Sequence, residues 1–242
     1  MKLRFASLLG VLTALLLGAE GNVIWGQPGR KNLANFDAKP YHFGFLLSGN
    51  TSDFRFDRVV DETFGDSLLG IDNAPQSGFN LALLASYNLN KNVSLRFIPG
   101  LSFQDRGLNY RFLTEDGTTE SVLRRTESVF LDFPLLVKLR TDRLGNFAAY
   151  GLVGGKISRD MQSQEDVNQQ LQDDYILRLE AGNRSIDLGA GVDIFLPFFK
   201  LAIEGKFELG TRNLLIQDNS TYSTPLDRLR TRSFIFSICF EG

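Results

Sequence analysis

From Tyr41 to its C-terminus the chain alternates large apolar residues with small or polar ones at a period of two, the spacing of a β-strand whose faces meet different surroundings. The segment LDFPLLVKLR, residues 131–140, carries the pattern in concentrated form. Leu131, Phe133, Leu135, Val137 and Leu139 are all large and apolar, whereas Asp132, Pro134, Leu136, Lys138 and Arg140 are mixed and include charges. The same alternation runs through Phe79, Leu81, Leu83, Ala85, Tyr87 and Leu89, through Ile186, Leu188, Ala190, Val192, Ile194 and Leu196, and through Phe234, Phe236, Ile238 and Phe240. The spacing predicts eight strands, over about 41–56, 77–90, 93–112, 120–140, 146–160, 183–196, 199–213 and 231–241.

Short connections (NKN around Lys91, TDRLG at 141–145, the Pro197-Phe198 corner) alternate with longer polar ones at 57–76, 115–119, 161–182 and 214–230. Strands that run up and down with every long loop at one end give that order. An even strand count with short turns on one side and long loops on the other is the layout of an outer-membrane β-barrel.

Alternation alone leaves the greasy face pointing in, as in a soluble lipocalin-like barrel, or out toward lipid. Residue size separates the two. An eight-stranded barrel has an interior just wide enough for side chains to fill, and Phe, Leu and Ile at nearly every position would overfill it. The other phase carries Gly44, Ser48, Ala82, Ser86, Gly100, Ser102, Gly154, Gly189, Gly191, Ala202 and Ser237, which suit a narrow lumen. It also carries charges of both signs: Arg96, Lys138, Lys200 and Lys206 against Asp132, Asp187, Asp193, Glu204 and Glu208. A midplane Lys or Arg facing lipid costs about 2–4 kcal/mol, so these charges are expected inside, where they pair. Partners such as Lys206 or Glu204 are expected for Asp132 and Lys138. A strand of about ten residues at roughly 3.3 Å each, tilted near 45°, spans about 23 Å, close to the apolar band of such barrels. The predicted class is therefore all-β: an eight-stranded antiparallel up-and-down transmembrane barrel with a filled lumen over 41–242. Its structural charge network is Arg96, Asp132, Lys138, Asp187, Asp193, Glu204, Lys206 and Glu208.

Lys2 and Arg4 precede the apolar run FASLLGVLTALLLGA, and small residues such as Ala19, Gly21 and Gly26 follow it. This reads as a secretory signal peptide over 1–26, cut after Gly21 or just before Gln27, because the run is shorter than the roughly 20 residues of a membrane span. Residues 27–40, QPGRKNLANFDAKP, are polar and contain proline, and are expected to form a periplasmic arm. With a net charge of −2 and a pI near 5.5, the chain has no basic surplus for nucleic acid. Its only cysteine, Cys239, excludes an internal disulfide and reads as a half-buried structural thiol.

The remaining features are weak carriers of chemistry. Pro99 and Pro134 lie within strands, where a missing donor predicts bulges in a barrel without edges. Tyr41, Tyr87, Tyr150 and Phe198 are candidates for interfacial aromatic girdles or, equally, for core or lipid-facing packing. His42, the only histidine, is the one candidate base for a lipid-modifying barrel enzyme, but its place at the periplasmic start of the first strand favours a structural role. GLVGGKI at 151–157 has the wrong glycine spacing for a phosphate loop and reads as glycines packed inside the barrel. QEDVNQQLQDD lacks the central glycine and alternating ligands of a calcium loop. Neither catalytic residues, nor a metal, nor a cofactor, nor a small-molecule substrate is expected.

FDAKPYHFGFLLSGNTSDFRF at 36–56, LDFPLLVKLRTDRLGNFAAYGLVGGK at 131–156 and IDLGAGVDIFLPFFKLAIEGKFELGTRNLLIQDNSTYSTPLDRLRTRSFIFSICFE at 186–241 resemble the PorT (SprT) outer-membrane barrel proteins of bacteroidete bacteria. The most specific part is the last stretch, with its FLPFFK corner, its NLL…DN segment and its terminal strand. The resemblance implies a non-enzymatic component of the type IX secretion system. Such a component is needed to export cargo with a C-terminal sorting domain and, in gliding species, for motility; its partners would be outer-membrane lipid and other secretion-system proteins. The family supplies no catalytic residues to carry over. The other reading of the same barrel is a generic envelope or adhesin-type protein that binds partners through its long loops.

Overall fold

The computed structural model describes residues 31–59, 68–114, 116–163, 178–217 and 222–242. The expected signal segment, the first residues of the arm and the middles of the loops at 57–76, 161–182 and 214–230 lie outside that set.

The described chain from Asn32 onward is one antiparallel sheet of nine strands. They are β1 (Tyr41–Arg58), β2 (Leu68–Asn88), β3 (Val93–Phe97), β4 (Gly100–Leu113), β5 (Thr119–Arg140), β6 (Phe147–Asp160), β7 (Gly182–Phe195), β8 (Lys200–Gly210) and β9 (Leu226–Glu241). β3 and β4 lie end to end between β2 and β5, so together they make one stave of an eight-stave wall. β9 pairs with β1 and closes the ring.

Stagger sets the dimensions. Cα partners followed once around, from Phe43 through Ala85, Phe97, Leu135, Gly155, Ile186, Leu209 and Arg232, return to β1 at Asp53, ten residues along. With strands about 4.8 Å apart and a rise of about 3.3 Å per residue, that stagger tilts the strands by about 40° and gives a backbone radius of about 8 Å.

The predicted strands are present, with two informative differences. The segment Leu68–Gln76 was expected within a loop but forms the first part of β2. It pairs with β4 through register shifts at Leu68/Gly70 and Pro75/Phe79. The bulges expected at Pro99 and Pro134 are absent. Ala85↔Phe97 and Ala82↔Gly100 keep one register with β2, and Phe97↔Leu135 and Gly100↔Asp132 keep one register with β5. Each proline still accepts: Leu83 N–H donates to the Pro99 carbonyl at 2.9 Å and Ile98 N–H to the Pro134 carbonyl at 3.2 Å. The prolines omit the reciprocal bonds, which interrupts the strand between β3 and β4 without shifting it.

Polarity reverses along the barrel axis. In the membrane band the outward residues are apolar and exposed, among them Phe45, Leu83, Leu135, Ile186, Phe207 and Phe236, while the inward ones are mostly small, polar or charged, with one buried apolar cluster of Leu46, Leu84, Ile98, Leu136 and Leu152 among them. Beyond it, Arg55 and Asp57 on β1, Arg111 on β4, Arg125 and Glu127 on β5 and Arg228 on β9 take exposed positions beside Leu69, Leu113 and Leu123. There the interior is apolar: Phe54, Ile71, Leu108, Tyr110, Leu179, Leu214, Leu215, Leu226 and Leu229 form one buried cluster. A barrel that is greasy outside in lipid becomes an ordinary water-soluble β-structure where it rises above the membrane.

Candidate functional site

The interior is stacked in layers of inward side chains: a periplasmic layer, an ionic layer, a neutral belt and the apolar outer core. The periplasmic layer is closed by the arm. Leu33 takes a positive φ of 49°, and the turn leads into a short 3-10 helix, Phe36–Ala38, whose one buried side chain is Phe36. The Phe36 ring stacks on His42 with centroids 3.7 Å apart and meets Phe195 edge-on at 5.8 Å. Asp37 bridges Arg140 at 2.8 Å and Arg143 at 3.3 Å, and Arg143 lies 3.2 Å over the Phe195 ring. Burial lowers the pKa of Arg143 from its ordinary value, and Asp37 acts in the opposite sense. Asn32 ties the arm to the wall through Asn146 and the Phe195 carbonyl. His42, 1% exposed, is thus roofed by the arm.

The middle layer is ionic. All eight residues of the expected network point inward and are at most 8% exposed. Arg96 donates to Glu204 at 2.9 Å and to Glu241 at 3.4 Å. Lys200 bonds Glu241 at 2.7 Å and reaches Asp193 at 4.0 Å, Lys138 bonds Asp193 at 2.8 Å, and Lys206 lies 3.5 Å from Glu204. A second group lies nearer the outside, where Lys156 bonds Asp132 at 3.1 Å and also Glu208. The partners expected for two of these residues were wrong. Lys138 reaches across to β7 and Asp132 to neighbouring β6, because the stagger of the ring rather than the sequence decides which charges share a height.

Sequence reasoning missed Glu241 and Lys156, each of which makes two ion pairs at the centre of one group, although both lie on the inward phase of their strands. Of the two readings open for Tyr150, girdle or core packing, the second is the one found. This side chain is 4% exposed, donates its hydroxyl to Glu204 at 2.9 Å and stacks under the Lys138 ammonium at 3.7 Å, so it belongs to the lumen and to no girdle. Tyr41 and Tyr87 do sit outside, paired at 4.9 Å, and Phe198 is 89% exposed. Cys239 is fully buried rather than half-buried. Of the glycines in GLVGGKI only Gly154 faces inward, where a Cβ would strike the Leu135 carbonyl oxygen at 2.1 Å and the Leu136 side chain at 2.8 Å; Gly151 and Gly155 fall on the outward phase.

Between the ionic and apolar layers runs a neutral belt of short hydrogen bonds: Ser48 to Ser237, Ser52 with Ser233, and Asn50 and Ser102 both to the Asn80 oxygen. Arg106 caps it, with its guanidinium between the Phe54 and Phe130 rings at 5.1 and 4.9 Å and one bond to Ser128. The cavities within the lower layers measure about 30 and 10 Å³, space for a very few waters. Among the described residues no cluster of His, Cys, Asp and Glu is placed to hold a metal ion.

A closed, shear-ten, lipid-faced barrel with a salt-bridged interior identifies its class. Residues 25–215 match the family described as outer membrane protein beta-barrel domain. The chain belongs to that family. It is accordingly a protein of the outer membrane, a placement its lipid-facing band requires independently. No curated protein matches the chain. Among solved structures, OprG from Pseudomonas aeruginosa is similar at 12% identity and a TM-score of 0.48, covering 89% of this chain and 98% of its own. Neisserial surface protein A is similar at 10% identity and a TM-score of 0.46, covering 83% and 95%.

A member of this family with such an interior should not conduct like a porin. Purified protein in planar bilayers is expected to show no large stable conductance, and steady nanosiemens openings would contradict the closed lumen.

Proposed function

We propose that this barrel is a non-enzymatic component of the type IX protein secretion machinery, needed for export of sorting-domain cargo and, in gliding bacteria, for motility. The observation that carries the reading is the filled lumen, roofed by the arm, crossed by ion pairs and capped by Arg106. A barrel that offers cargo no passage serves export by holding or assembling other proteins, so its partners are outer-membrane lipid and other components of the machine. The resemblance of residues 36–56, 131–156 and 186–241 to the PorT family supports that assignment. The burial of His42 under Phe36 speaks against an enzyme that uses it as a base. Deleting the gene is expected to leave sorting-domain cargo in the periplasm, read by fractionation and immunoblotting. Cargo secreted normally by the deletion strain would remove the reading.

The raised outer wall favours one alternative, an envelope or adhesin-type barrel that works through its surface. Trimming the loops at 57–76, 161–182 and 214–230 would then abolish surface binding and leave secretion intact.

A further inference from the structure

The wall is not equally tall all round. β9, β1, β2, β4 and β5 rise well above the membrane, while β6 stops at Asp160, β7 begins at Gly182 and β8 stops at Gly210. Among the described residues these five strands form the raised sheet, and its two outermost members are β9 and β5. The β9 edge is covered by the segment after β8: Leu214 N–H donates to the Leu229 carbonyl at 2.8 Å, Leu229 N–H to Asn213 Oδ1 at 2.8 Å, and Gln217 Nε2 to the Leu226 carbonyl at 2.7 Å.

The β5 edge is different. β5 pairs with β6 only from Phe130 to Arg140, whereas it pairs with β4 up to Thr119. Above Phe130, the bond from Met161 N–H to the Val129 carbonyl is the last one made on the β6 side among the described residues. Orientation follows from two bonds: the Val129 carbonyl faces β6 and the Pro134 carbonyl faces β3. Odd residues of β5 thus turn their backbone groups to the β6 side and even ones to the β4 side. Ser121, Leu123, Arg125 and Glu127 present both N–H and C=O to the side that carries no further partner among the described residues. Beside them lies a cavity of about 350 Å³ lined by Arg125, Thr126, Glu127, Asp160, Gln162 and Leu179.

We propose that this outer edge of β5 is a docking site for an extended segment of a partner protein, which adds to the sheet antiparallel to β5 beyond its bond with Met161. The exposed charges select the segment. Arg125 and Glu127 on the outward face ask for an acidic residue and, two positions along, a basic one. Charges of this kind also keep an open edge from indiscriminate pairing. A second copy does not fit. Two barrels in one membrane are related by an axis along its normal, so their β5 strands point the same way and, tilted by about 40° each, cross at about 80° instead of lying antiparallel.

The test uses the full mature protein in lipid nanodiscs and a synthetic peptide of about ten residues, a usual strand length, made of alternating Thr and Val with Asp and Lys placed to face Arg125 and Glu127. Hydrogen exchange of the free protein should show the Ser121, Leu123, Arg125 and Glu127 amides exchanging at least about 100-fold faster than those of Val122, Arg124 and Thr126, whose N–H groups bond β4. Peptide should slow the four by about tenfold or more. Leu123→Pro removes a donor only on the open side and should cut peptide affinity at least about tenfold while the barrel keeps its heat-modifiable gel mobility. Exchanging the charges, as Arg125→Glu with Glu127→Arg, should weaken this peptide and favour one with its Asp and Lys exchanged. Slow exchange of the four amides in the free protein would overturn the proposal, since the chain's own residues would then cover the edge. Peptide binding that ignores Leu123→Pro, or that protects none of the four, would overturn it as well.

Discussion

Arg96→Met should destabilise the barrel by about 3 kcal/mol, the low end of what breaking a buried ion pair costs. Arg96 is fully buried and serves two carboxylates, Glu204 at 2.9 Å and Glu241 at 3.4 Å. Its removal leaves both buried in the ionic layer of the lumen. The loss stays at the low end because each carboxylate keeps a second partner: Lys206 and the Tyr150 hydroxyl for Glu204, Lys200 for Glu241. Urea unfolding in lipid vesicles, followed by circular dichroism, reads the difference. The double variant Arg96→Met with Glu204→Gln should recover at least about 1 kcal/mol relative to the sum of the single changes, because the uncompensated charge is then gone. Additive single effects would mean that Arg96 acts by filling space and not by pairing.

The strands and their lipid-facing side were legible in the sequence for one reason. An eight-stranded lumen cannot hold a Phe or Leu at every second position, so the bulky phase had to face out, and Leu131 to Leu139 carry that argument nearly alone. Ion-pair partners were not legible in the same way. Asp132 and Lys138 are six residues apart on one strand, yet they belong to different groups, with Lys156 and with Asp193, because height in a staggered ring depends on every register between. Tyr150 stayed open between girdle and core because an aromatic near a strand end is equally at home in either; its partner Glu204 decides, and it lies on β8, far off in sequence. The largest omission was the outer third. LLGIDNAPQ at 68–76 mixes Gly, Asn and Pro with apolar residues and reads as loop. Only the closed ring reveals that Ile71 sits beside Leu108, Leu226 and Leu229 in an apolar core.

That outer core makes the barrel two materials in series, and truncations should behave differently in each. Leu229→Ala deletes a fully buried side chain that lipid cannot reach, at a cost of about 3 kcal/mol, within the range for such core truncations. Ile203→Ala removes a side chain that is 39% exposed on the lipid face, where acyl chains refill the space, and should cost under about 1 kcal/mol. Because the outer sheet rests on this cluster and not on the membrane, the Leu229 variant should open locally. Trypsin added outside intact vesicles should then cut at Arg55, Arg228 and Arg230 about 100-fold faster than in the parent protein, the factor that a loss near 3 kcal/mol implies. The membrane band should survive as a protected, heat-modifiable core. If Leu229→Ala instead lowers the unfolding midpoint of the whole barrel with no local gain in cleavage, the outer core and the membrane band unfold as one unit, and the reversal of polarity along the axis does not divide the stability as it divides the chemistry.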